Sequence, residues 1–494
     1  MADTHQVSPT NLSHTLVGTS PGRMKLTGYT DAMANANPLN WKLKLMAEIA
    51  PGEHVEVDVG SWERPVEVSL ATLGLSLEEG KKILAEIQHQ MVTTQMEQRA
   101  QADRRCADCG RSRRNKGCYR STFHSAYGKV PVRVRRVLPC RHCGHPPAVA
   151  LFTRKSCTSP ELLYLDSKLS ALAPFAKVAD FLNEVLPATA RSNAATVRNR
   201  TRRVGRRLMK DLAETARAAR AEPAETLVIG VDGGYVRSRR TWERNFEVTV
   251  AKLTDEDGEC IRVAFEANQY YPGVRQICHG LEVLGVNDKT EITVLSDGDA
   301  GLRTLQYDVA PRSEHILDWF HIGMRFEHLL DACKAVEKGV PMARHVSAWA
   351  HFTATHAKWA LWNGQAEKTF GRLEALRMWT SNEPEPTPEV HRVHKHATDL
   401  LNYLRANQDS LPNYEERYNN GEPISTGPVE SAVNEIIAKR MCKSQQMSWN
   451  RWKVQPFLTV RCAVLNETLE DSFREWFPGF RPAEAEAQGR RRAA

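Results

Sequence analysis

The sequence predicts a multidomain α/β protein, and three features of the chain lead to that prediction. The chain has 494 residues, which exceeds the usual size of a single domain. Two Cys-x-x-Cys-Gly pairs mark a small separate module between residues 106 and 157. After residue 223, short apolar runs of strand-like composition alternate with segments of helical periodicity. Such alternation is typical of a sheet covered by helices.

The chain begins with a polar segment, followed by a region that carries stronger signals. Residues 1–40 are rich in Ser, Thr, Asn and Gly, and we expect a flexible tail there. Residues 41–105 are expected to be mixed and mostly helical, with the stretch "HVEVDV" forming a strand. A helix is expected to start after Ser76, because this residue can cap it and Glu78 and Glu79 favour its first turn.

The chain is basic, with 67 Lys and Arg residues, 59 Asp and Glu residues and a net charge of +8. This excess favours a polyanionic partner over a membrane, although a basic protein without such a partner has the same composition. The chain has no run of 18 apolar residues, and its start lacks the features of a signal peptide. We therefore expect a cytoplasmic protein whose eleven cysteines are metal ligands or buried thiols.

The two cysteine pairs predict a structural zinc site. Cys106, Cys109, Cys140 and Cys143 can surround one Zn²⁺ with four thiolates, and the alternating stretch "AYGKVPVRVRRVL" between the pairs favours a hairpin. Residues 106–157 are therefore expected to form a zinc ribbon, and unmetallated thiols are the alternative. Nearby residues could replace one of the four ligands: Cys118, His124, His142, His145 and Cys157. Arginines of the ribbon could contact phosphates or simply face solvent: Arg133, Arg135 and Arg136.

Residues 158–222 predict a helical region that resembles a helix-turn-helix. One helix carries Val178, Phe181, Leu182 and Val185 at helical spacing, and a second is expected to begin near Ser192 as its N-cap. A short turn between two helices, the second of them basic, is the arrangement in which a recognition helix contacts DNA. The alternative is an amphipathic helix with a solvated basic face. The expected DNA-binding residues of the second helix are Arg198, Arg200, Arg202, Arg203, Arg206 and Arg207.

The segment after residue 223 predicts a sheet that carries two acids. "TLVIGVDGGYV", "RNFEVTVAKLT" and "ECIRVAFEANQ" read as three antiparallel strands, and a helix, a strand ending at Asp297, a helix and a fifth strand ending near Asp318 follow. This order, β-β-β-α-β-α-β with a further helix, is that of the ribonuclease H-like fold. In that fold Asp232 on the first strand and Asp297 after the fourth would reach the same two metal ions, Mg²⁺ or Mn²⁺.

The stretch "SDGDAG" contains a second acid, Asp299, whose role differs from that of Asp297. A calcium loop starting at Asp297 would need an oxygen ligand at its fifth position and glycine at its sixth, where Gly301 and Leu302 stand. Asp299 lies two residues beyond the strand and is expected to cap the short helix that follows.

A third acid is expected at the start of a late helix. In "ISTGPVESAVNEIIAKRM", Thr426 can cap a helix, Pro428 suits its first turn and Glu430 follows. Acids are common in first turns because they interact favourably with the helix dipole, so Glu430 alone would indicate nothing more. Its position after Asp232 and Asp297 favours a catalytic role.

Taken together, these features resemble the bacterial insertion-sequence transposases of the DDE, ribonuclease H-like superfamily, and most closely the Kra-type subgroup. The resemblance runs from the cysteine module to about residue 466 and is strongest in "VIGVDGGYV", "LSDG", "HILDWFHIGMR", "NYEERY", "GEPISTGPVES", "NEIIAKRM" and "QQMSW". It implies that Asp232, Asp297 and Glu430 are the catalytic, Mg²⁺-binding acids. It also implies that Asp318 and His321 support the site, although a strand-end acid and an ordinary histidine would look the same.

The long interval between Asp297 and Glu430 implies an α-helical insertion within the core. The insertion contains Trp349, Trp359, Trp362 and Trp379, which are expected mostly to pack in its core, with one of them able to stack on an unpaired base. The expected segments are a tail (1–40), a mixed region (41–105), the zinc ribbon (106–157), the DNA-binding helices (158–222), the first part of the core (223–330), the insertion (331–424), the last part of the core (425–470) and a tail (471–494).

The resemblance implies a transposase that binds terminal inverted repeats and target DNA as a homodimer or a larger synaptic assembly. It would cleave and join DNA strands by two-metal phosphoryl transfer in a bacterial cytoplasm, on the nucleoid when bound to DNA. Two other functions are compatible with the same residues. One is a ribonuclease H-like nuclease without strand transfer, and the other is a transposase-derived, zinc-dependent DNA-binding regulator.

Overall fold

The computed structural model describes residues 38–65, 69–147, 157–187, 190–214, 223–240, 242–339, 344–442 and 448–481. The chain divides into two compact units, residues 1–94 and 95–494, and each is considered by itself. The predicted N-terminal tail and the final "GRRRAA" lie outside the described residues, except for positions 38–40. Within the described ranges, no helix is long and apolar enough to cross a membrane.

The first unit contains an antiparallel pair of strands, β1 (Leu39–Ala50) and β2 (Glu53–Arg64), and the start of helix α1 (Leu77–Ala102). The predicted strand "HVEVDV" lies in β2. Ser76 caps α1 as expected, because its Oγ accepts a hydrogen bond from the amide of Glu79 at 3.2 Å. The Glu79 carboxylate accepts one in return from the Ser76 amide at 2.9 Å, which completes a capping box.

The second unit begins with the cysteine module, whose hairpin consists of β3 (Asn115–Ser125) and β4 (Gly128–Val137). Alternate residues of β4 face opposite sides, so that the valines at 130, 132 and 134 are buried while Lys129 and Arg133 are exposed. The predicted hairpin between the two cysteine pairs is therefore confirmed.

Three helices follow the hairpin, namely α2 (Pro160–Leu172), α3 (Phe175–Val185) and α4 (Ala194–Glu214). The predicted pair of helices corresponds to α3 and α4. Val178 and Leu182 are buried as expected, but Phe181 is 53% exposed. The predicted N-cap is wrong by one residue, because the side chain of Asn193 rather than Ser192 accepts the hydrogen bond from Thr196. The amide of Ser192 instead donates to Asn183, which fixes the turn between the helices.

Arg200 does not belong to the exposed basic face of α4. Its guanidinium donates to Asp166 of α2 at 3.1 Å and to the hydroxyl of Ser192 at 3.0 Å, and the residue is only 5% exposed. The prediction that Arg200 contacts DNA is therefore wrong. Arg200 instead forms a buried ion pair with Asp166 that joins α4 to α2.

The burial of Asp166 makes stability depend on pH. Burial raises the pKa of Asp166 from 3.8 to about 6, against the attraction of Arg200. Because the folded-state pKa lies above the unfolded value, the folded protein binds the extra proton between about pH 4 and 6. The free energy of unfolding should therefore fall by roughly 2–3 kcal/mol as the pH rises through that window. Denaturant titrations should show a smaller fall for Asp166→Asn, and an unchanged pH dependence would contradict the prediction.

The core of the second unit is a mixed five-stranded sheet in the order β7-β6-β5-β8-β9. Its strands are β5 (Thr226–Arg237), β6 (Asn245–Asp255), β7 (Cys260–Glu266), β8 (Glu291–Ser296) and β9 (Glu314–Leu317). The first three are antiparallel, whereas β5, β8 and β9 are parallel. Helices α5 (Tyr270–Val283) and α6 (Ala300–Val309) connect the later strands. The predicted order of these elements is confirmed.

A helical segment separates β9 from the last part of the core. It comprises α7 (Trp319–Gly339), α8 (Arg344–Trp362), α9 (Ala366–Asn382), α10 (Pro388–Ala406) and α11 (Tyr414–Asn419). The first four pack in a ring, each against its neighbours in the chain, with α10 returning to α7. Residues 331–424, predicted to be an α-helical insertion, lie within this helical segment, whose first helix begins at Trp319. Trp362 and Trp379 pack against its core, whereas Trp349 and Trp359 are exposed.

The chain then returns to the sheet through α12 (Gly427–Val433), which continues into a π-helical turn (Asn434–Ala438) and a short helical end (Lys439–Met441). Helices α13 (Gln455–Leu465) and α14 (Leu469–Trp476) follow. The predicted boundary at residue 470 falls inside α14, whose Phe473 is fully buried.

Helix α13 covers the edge strand β7 with two amide side chains. Gln455 accepts from the amide of Glu266 and donates to the carbonyl of Ala264. Asn466, just after the helix, accepts from the amide of Arg262 and donates to the carbonyl of the same residue. These four hydrogen bonds replace those that another strand would make.

Candidate active site and metal centre

Three aspartates lie in a row at the carboxyl end of the parallel strands. Gly230 pairs with Leu295 across β5 and β8, and Asp232 and Asp297 each lie two residues further along. Ser296 pairs with Leu317 across β8 and β9. Asp297 follows Ser296 directly, and Asp318 follows Leu317 directly. Parallel strands in register carry equivalent residues at the same level. Asp232, Asp297 and Asp318 therefore occupy neighbouring positions along one edge of the sheet.

Helix α12 brings Glu430 to the face of the sheet to which Asp232 belongs. A Cβ atom at Gly230 would overlap Val429, and one at Gly234 would overlap Ile437. Side chains alternate along a strand, so Asp232 points to the same face as these two glycines. Glu430 follows Val429 directly and is exposed beside this contact. The absence of side chains at Gly230 and Gly234 is what allows α12 to approach β5.

The local field at Asp232 opposes its ionisation. Burial raises its pKa above the ordinary value, and the negative charges of Asp297 and Asp318 raise it further. A hydrogen bond from the amide of Gly233 and the nearby His321 act in the opposite direction. The carboxylates are thus close enough to repel one another. Clustered carboxylates are a donor set that suits hard divalent cations such as Mg²⁺.

The turn after β8 holds Asp297 by several contacts. Gly298 has a φ of +79°, and a Cβ there would lie 2.6 Å from the Asn407 side chain and 2.7 Å from that of Leu317. The Tyr403 hydroxyl donates to the Asp297 carbonyl at 2.9 Å. Asp299 caps α6 by accepting from the amide of Gly301 at 2.8 Å, as predicted. The two acids of this turn therefore have different structural roles.

Asp318 connects the row of acids to the segment that precedes α12. It is fully buried and accepts hydrogen bonds from the amides of Phe320 at 2.8 Å and Thr426 at 3.0 Å. The Thr426 hydroxyl donates to its other carboxylate oxygen. Since Thr426 is four residues before Glu430, Asp318 fixes the start of the helix that carries Glu430. Of the two predicted supporting residues, Asp318 therefore belongs to the row of acids, and His321 lies beside it, with Nδ1 3.9 Å from the Asp318 carboxylate.

The four cysteines of the predicted zinc site come together. Within the described residues they are the one group of three or more Cys, His, Asp or Glu side chains whose ligand atoms all lie within 4.8 Å of one another. The Cys106–Cys143 and Cys109–Cys140 sulfur distances are both 3.5 Å. A tetrahedral Zn²⁺ with thiolates at its usual bond length separates them by about 3.8 Å. The cluster is therefore compatible with a structural zinc site.

The surroundings favour the thiolate form of two of the four cysteines. The amide of Cys109 and the guanidinium of Arg113 lower the pKa of Cys106 to about 5, and the amides of Cys143 and His142 lower the pKa of Cys140. At Cys143 the hydrogen bond from the His145 amide is outweighed by burial and by the neighbouring sulfurs, which raise the pKa to about 12. Of the alternative ligands, His145 pairs with Asp108 at 2.9 Å. The four cysteines are a complete tetrahedral ligand set without any of the alternatives.

The predicted DNA-binding arginines differ in exposure. Arg203, Arg206 and Arg207 of α4 are exposed, and so are Arg133 and Arg136 of the hairpin. Three more are partly exposed: Arg135, Arg198 and Arg202. The hairpin and α4 are neighbours, because Lys129 donates to the carbonyl of Arg191 at 2.8 Å. Their exposed cations can therefore contribute to one basic surface.

Sequence reasoning missed Tyr403 and gave Thr426 only a capping role. Both act through contacts made more than 100 positions away in the chain, with Asp297 and Asp318 respectively. It also missed Glu247, whose pKa is raised by burial and by the nearby Asp299 and Asp297. Glu247 lies on β6 among strand residues, where no local pattern distinguishes it.

The packing of α12 on β5 gives a direct prediction. Gly230→Ala should destabilise the fold by about 1–3 kcal/mol, because the new methyl group must displace Val429 and with it the helix that carries Glu430. Denaturant unfolding measures the effect. Gly371→Ala is a matched control, since nothing lies within 4 Å of its added Cβ in α9, and it should be neutral or stabilising by up to about 1 kcal/mol. Equal stability of the two variants would contradict this packing.

Comparison with known proteins gives no further identification: no protein-family model matches the chain, and no curated protein is significantly similar to it.

Proposed function

We propose that this protein is a DNA transposase of an insertion sequence, with a ribonuclease H-like core and a catalytic triad of Asp232, Asp297 and Glu430. The proposal is carried by the positions of the three acids on and around β5. Asp232 and Asp297 are level on adjacent parallel strands, and the helix bearing Glu430 packs on the same face of β5. The strand order β7-β6-β5-β8-β9, with one antiparallel and one parallel half, supports the assignment of the core.

The three acids would hold two Mg²⁺ or Mn²⁺ ions, which when bound activate water and stabilise the attacking and leaving oxygens of an in-line phosphoryl transfer. The donor chemistry fits, because all three ligands are carboxylates and burial already disfavours the charge on Asp232. Asp318 fixes the residues before Glu430, and Tyr403 and Gly298 fix the turn at Asp297. The acids would thus be held in place before substrate binds.

The reaction would have two phosphoryl transfers. Hydrolysis of a phosphodiester at each end of the element would free a 3′-hydroxyl, which would then attack a phosphodiester of target DNA and release the strand it displaces. Neither step needs a covalent protein–DNA intermediate. The zinc ribbon and the exposed arginines of α4 would bind the terminal repeats. Because two ends must be brought together, a homodimer or larger assembly would be the active form.

The test uses purified protein, a donor carrying its own gene with the flanking DNA, and a target plasmid. In Mg²⁺ the wild type should produce both cut donor and joined product, and a chelator should abolish both. Glu430→Gln should retain DNA binding and lose both products. Cleavage by that variant would contradict the triad. Cutting without joining would identify a nuclease, and binding without cutting would identify a regulator.

A further inference from the structure

A tyrosine of α10 and an arginine of α7 lie next to the row of acids, at the seam where these two helices pack together. The Tyr403 hydroxyl of α10 donates to the carbonyl of Asp297, so its ring stands beside the acid-bearing turn. The guanidinium carbon of Arg325, on α7, lies 4.0 Å from the centre of that ring. Arg325 is one helical turn after His321, which itself lies beside Asp318. Arg325 thus contacts the Tyr403 ring, and Tyr403 in turn contacts the backbone of Asp297.

Arg325 differs from other cations of the helical segment in its partners. Arg377 and Arg405 both pair with Glu374, Arg417 pairs with Glu314, and Lys358 pairs with Glu327. Arg325 is exposed, its partner is the Tyr403 side chain, and no ion pair with an acid is seen for it within the described ranges. Contact with the Tyr403 ring and a hydrogen bond with its hydroxyl limit the orientations of the guanidinium. A guanidinium has five N–H donors, so those that Tyr403 does not use remain available to a ligand. Such a group is suited to bidentate binding of phosphate oxygens.

The seam continues as a polar, partly cationic surface away from the acids. The rings of His328 on α7 and His396 on α10 are 6.0 Å apart. Burial lowers the pKa of His396, and so do the neighbouring His328, Lys395 and Arg392, against the effect of Asp399. Lys395 and Arg392 therefore lie near this histidine, together with the acid Asp399. Of these cations, Arg325 is the one that contacts Tyr403 and so stands next to the acid-bearing turn.

We propose that Arg325, stacked on Tyr403, binds a phosphate of the DNA strand that enters the acid-bearing site. This inference rests on the proposed function, because it takes its substrate class, a DNA phosphodiester, from that assignment. Arg325 positions the strand and takes no part in proton transfer. Tyr403 has a separate role, since its ring supports the guanidinium while its hydroxyl holds the turn of Asp297.

The experiment measures DNA affinity as a function of salt and, separately, single-turnover cleavage of the same labelled donor-end duplex. Arg325→Gln should reduce the slope of log affinity against log salt by about one charge, because one phosphate contact is lost. It should also slow cleavage roughly 10- to 100-fold at saturating DNA, as expected when a positioning contact is removed. Arg325→Lys should keep the salt slope but recover only part of the cleavage rate, because lysine cannot bind in a bidentate manner.

Arg312→Gln is the matched control. This exposed arginine precedes β9, at the amino end of the strand, whereas the acids lie at the carboxyl ends of the parallel strands. Its salt slope and cleavage should remain those of the wild type. If Arg325→Gln behaves like the control in both assays, or if it cleaves slowly with an unchanged salt slope, the phosphate contact is refuted. If the wild type never cleaves but Arg325→Gln still reduces the slope, the phosphate contact stands and the transposase proposal fails.

Discussion

Replacing Asp297 with asparagine should reduce the rate of strand cleavage roughly 10³-fold or more. This reduction corresponds to a loss of about 4 kcal/mol of transition-state stabilisation. The reason is that an amide retains the size and hydrogen bonding of the side chain but loses the anionic oxygen that a divalent cation requires. The fold should be preserved, because the backbone contact from Tyr403 does not involve the replaced group. Single-turnover cleavage in Mg²⁺, together with a DNA-binding assay, measures the effect.

Asp299→Asn provides the control, two residues away in the same turn. Asparagine is as good an N-cap as aspartate, so α6 should keep its cap and cleavage should stay near the wild-type rate. The comparison separates the loss of one specific carboxylate from the loss of negative charge in the turn. A large loss of cleavage in both variants, or in Asp299→Asn alone, would refute the assignment of the metal ligand to Asp297.

Cys106→Ser should release the metal and unfold the hairpin module, because three thiolates cannot complete the tetrahedral set. Structural zinc contributes about 10–16 kcal/mol of apparent binding free energy to small modules. Loss of this contribution should exceed the free energy of folding that the short hairpin has without metal. Metal analysis should give one zinc per wild-type chain and less in the variant. DNA affinity should fall with it, since Arg133 and Arg136 are carried on this hairpin.

Cys118→Ser is the corresponding control on the same hairpin. Cys118 is exposed on β3 and does not belong to the cluster, so zinc content and DNA affinity should be unchanged. Loss of zinc from this variant, or retention of a full zinc equivalent by Cys106→Ser, would show that the ligand set is different. Added chelator should mimic Cys106→Ser in the wild type and have little further effect on the variant.

The arrangement of strands and helices was predictable because its signals are local. Alternation identified β4, apolar runs identified β5 and β8, and doubled cysteine pairs identified the zinc-compatible cluster. The assignment of Asp299 as a cap succeeded for the same reason, since capping involves residues only two or three positions apart. Local signals were weaker at element ends, and Ser192 was therefore taken as the cap in place of the adjacent Asn193.

The remaining features depend on contacts between distant positions. Helical periodicity placed Arg200 on a basic face, but its acid partner lies 34 residues earlier in the chain, on another helix. Asp318 and Thr426 are 108 positions apart, and no local pattern pairs them. The helical segment begins at Trp319 because Asp318, the last residue before it, accepts from the amide of Phe320 and so starts α7. A sequence read segment by segment contains none of these pairings.

The amide side chains that cover β7 have a consequence for synthesis of the chain. Strand β7 is complete by residue 266, but Gln455 and Asn466 are made almost 200 residues later. Until they arrive, a ribosome-bound chain presents an open strand edge that can pair with a neighbouring nascent chain on the same messenger. A product truncated before α13 keeps that edge open permanently. The full-length chain should therefore be recovered in soluble form where C-terminal deletions aggregate.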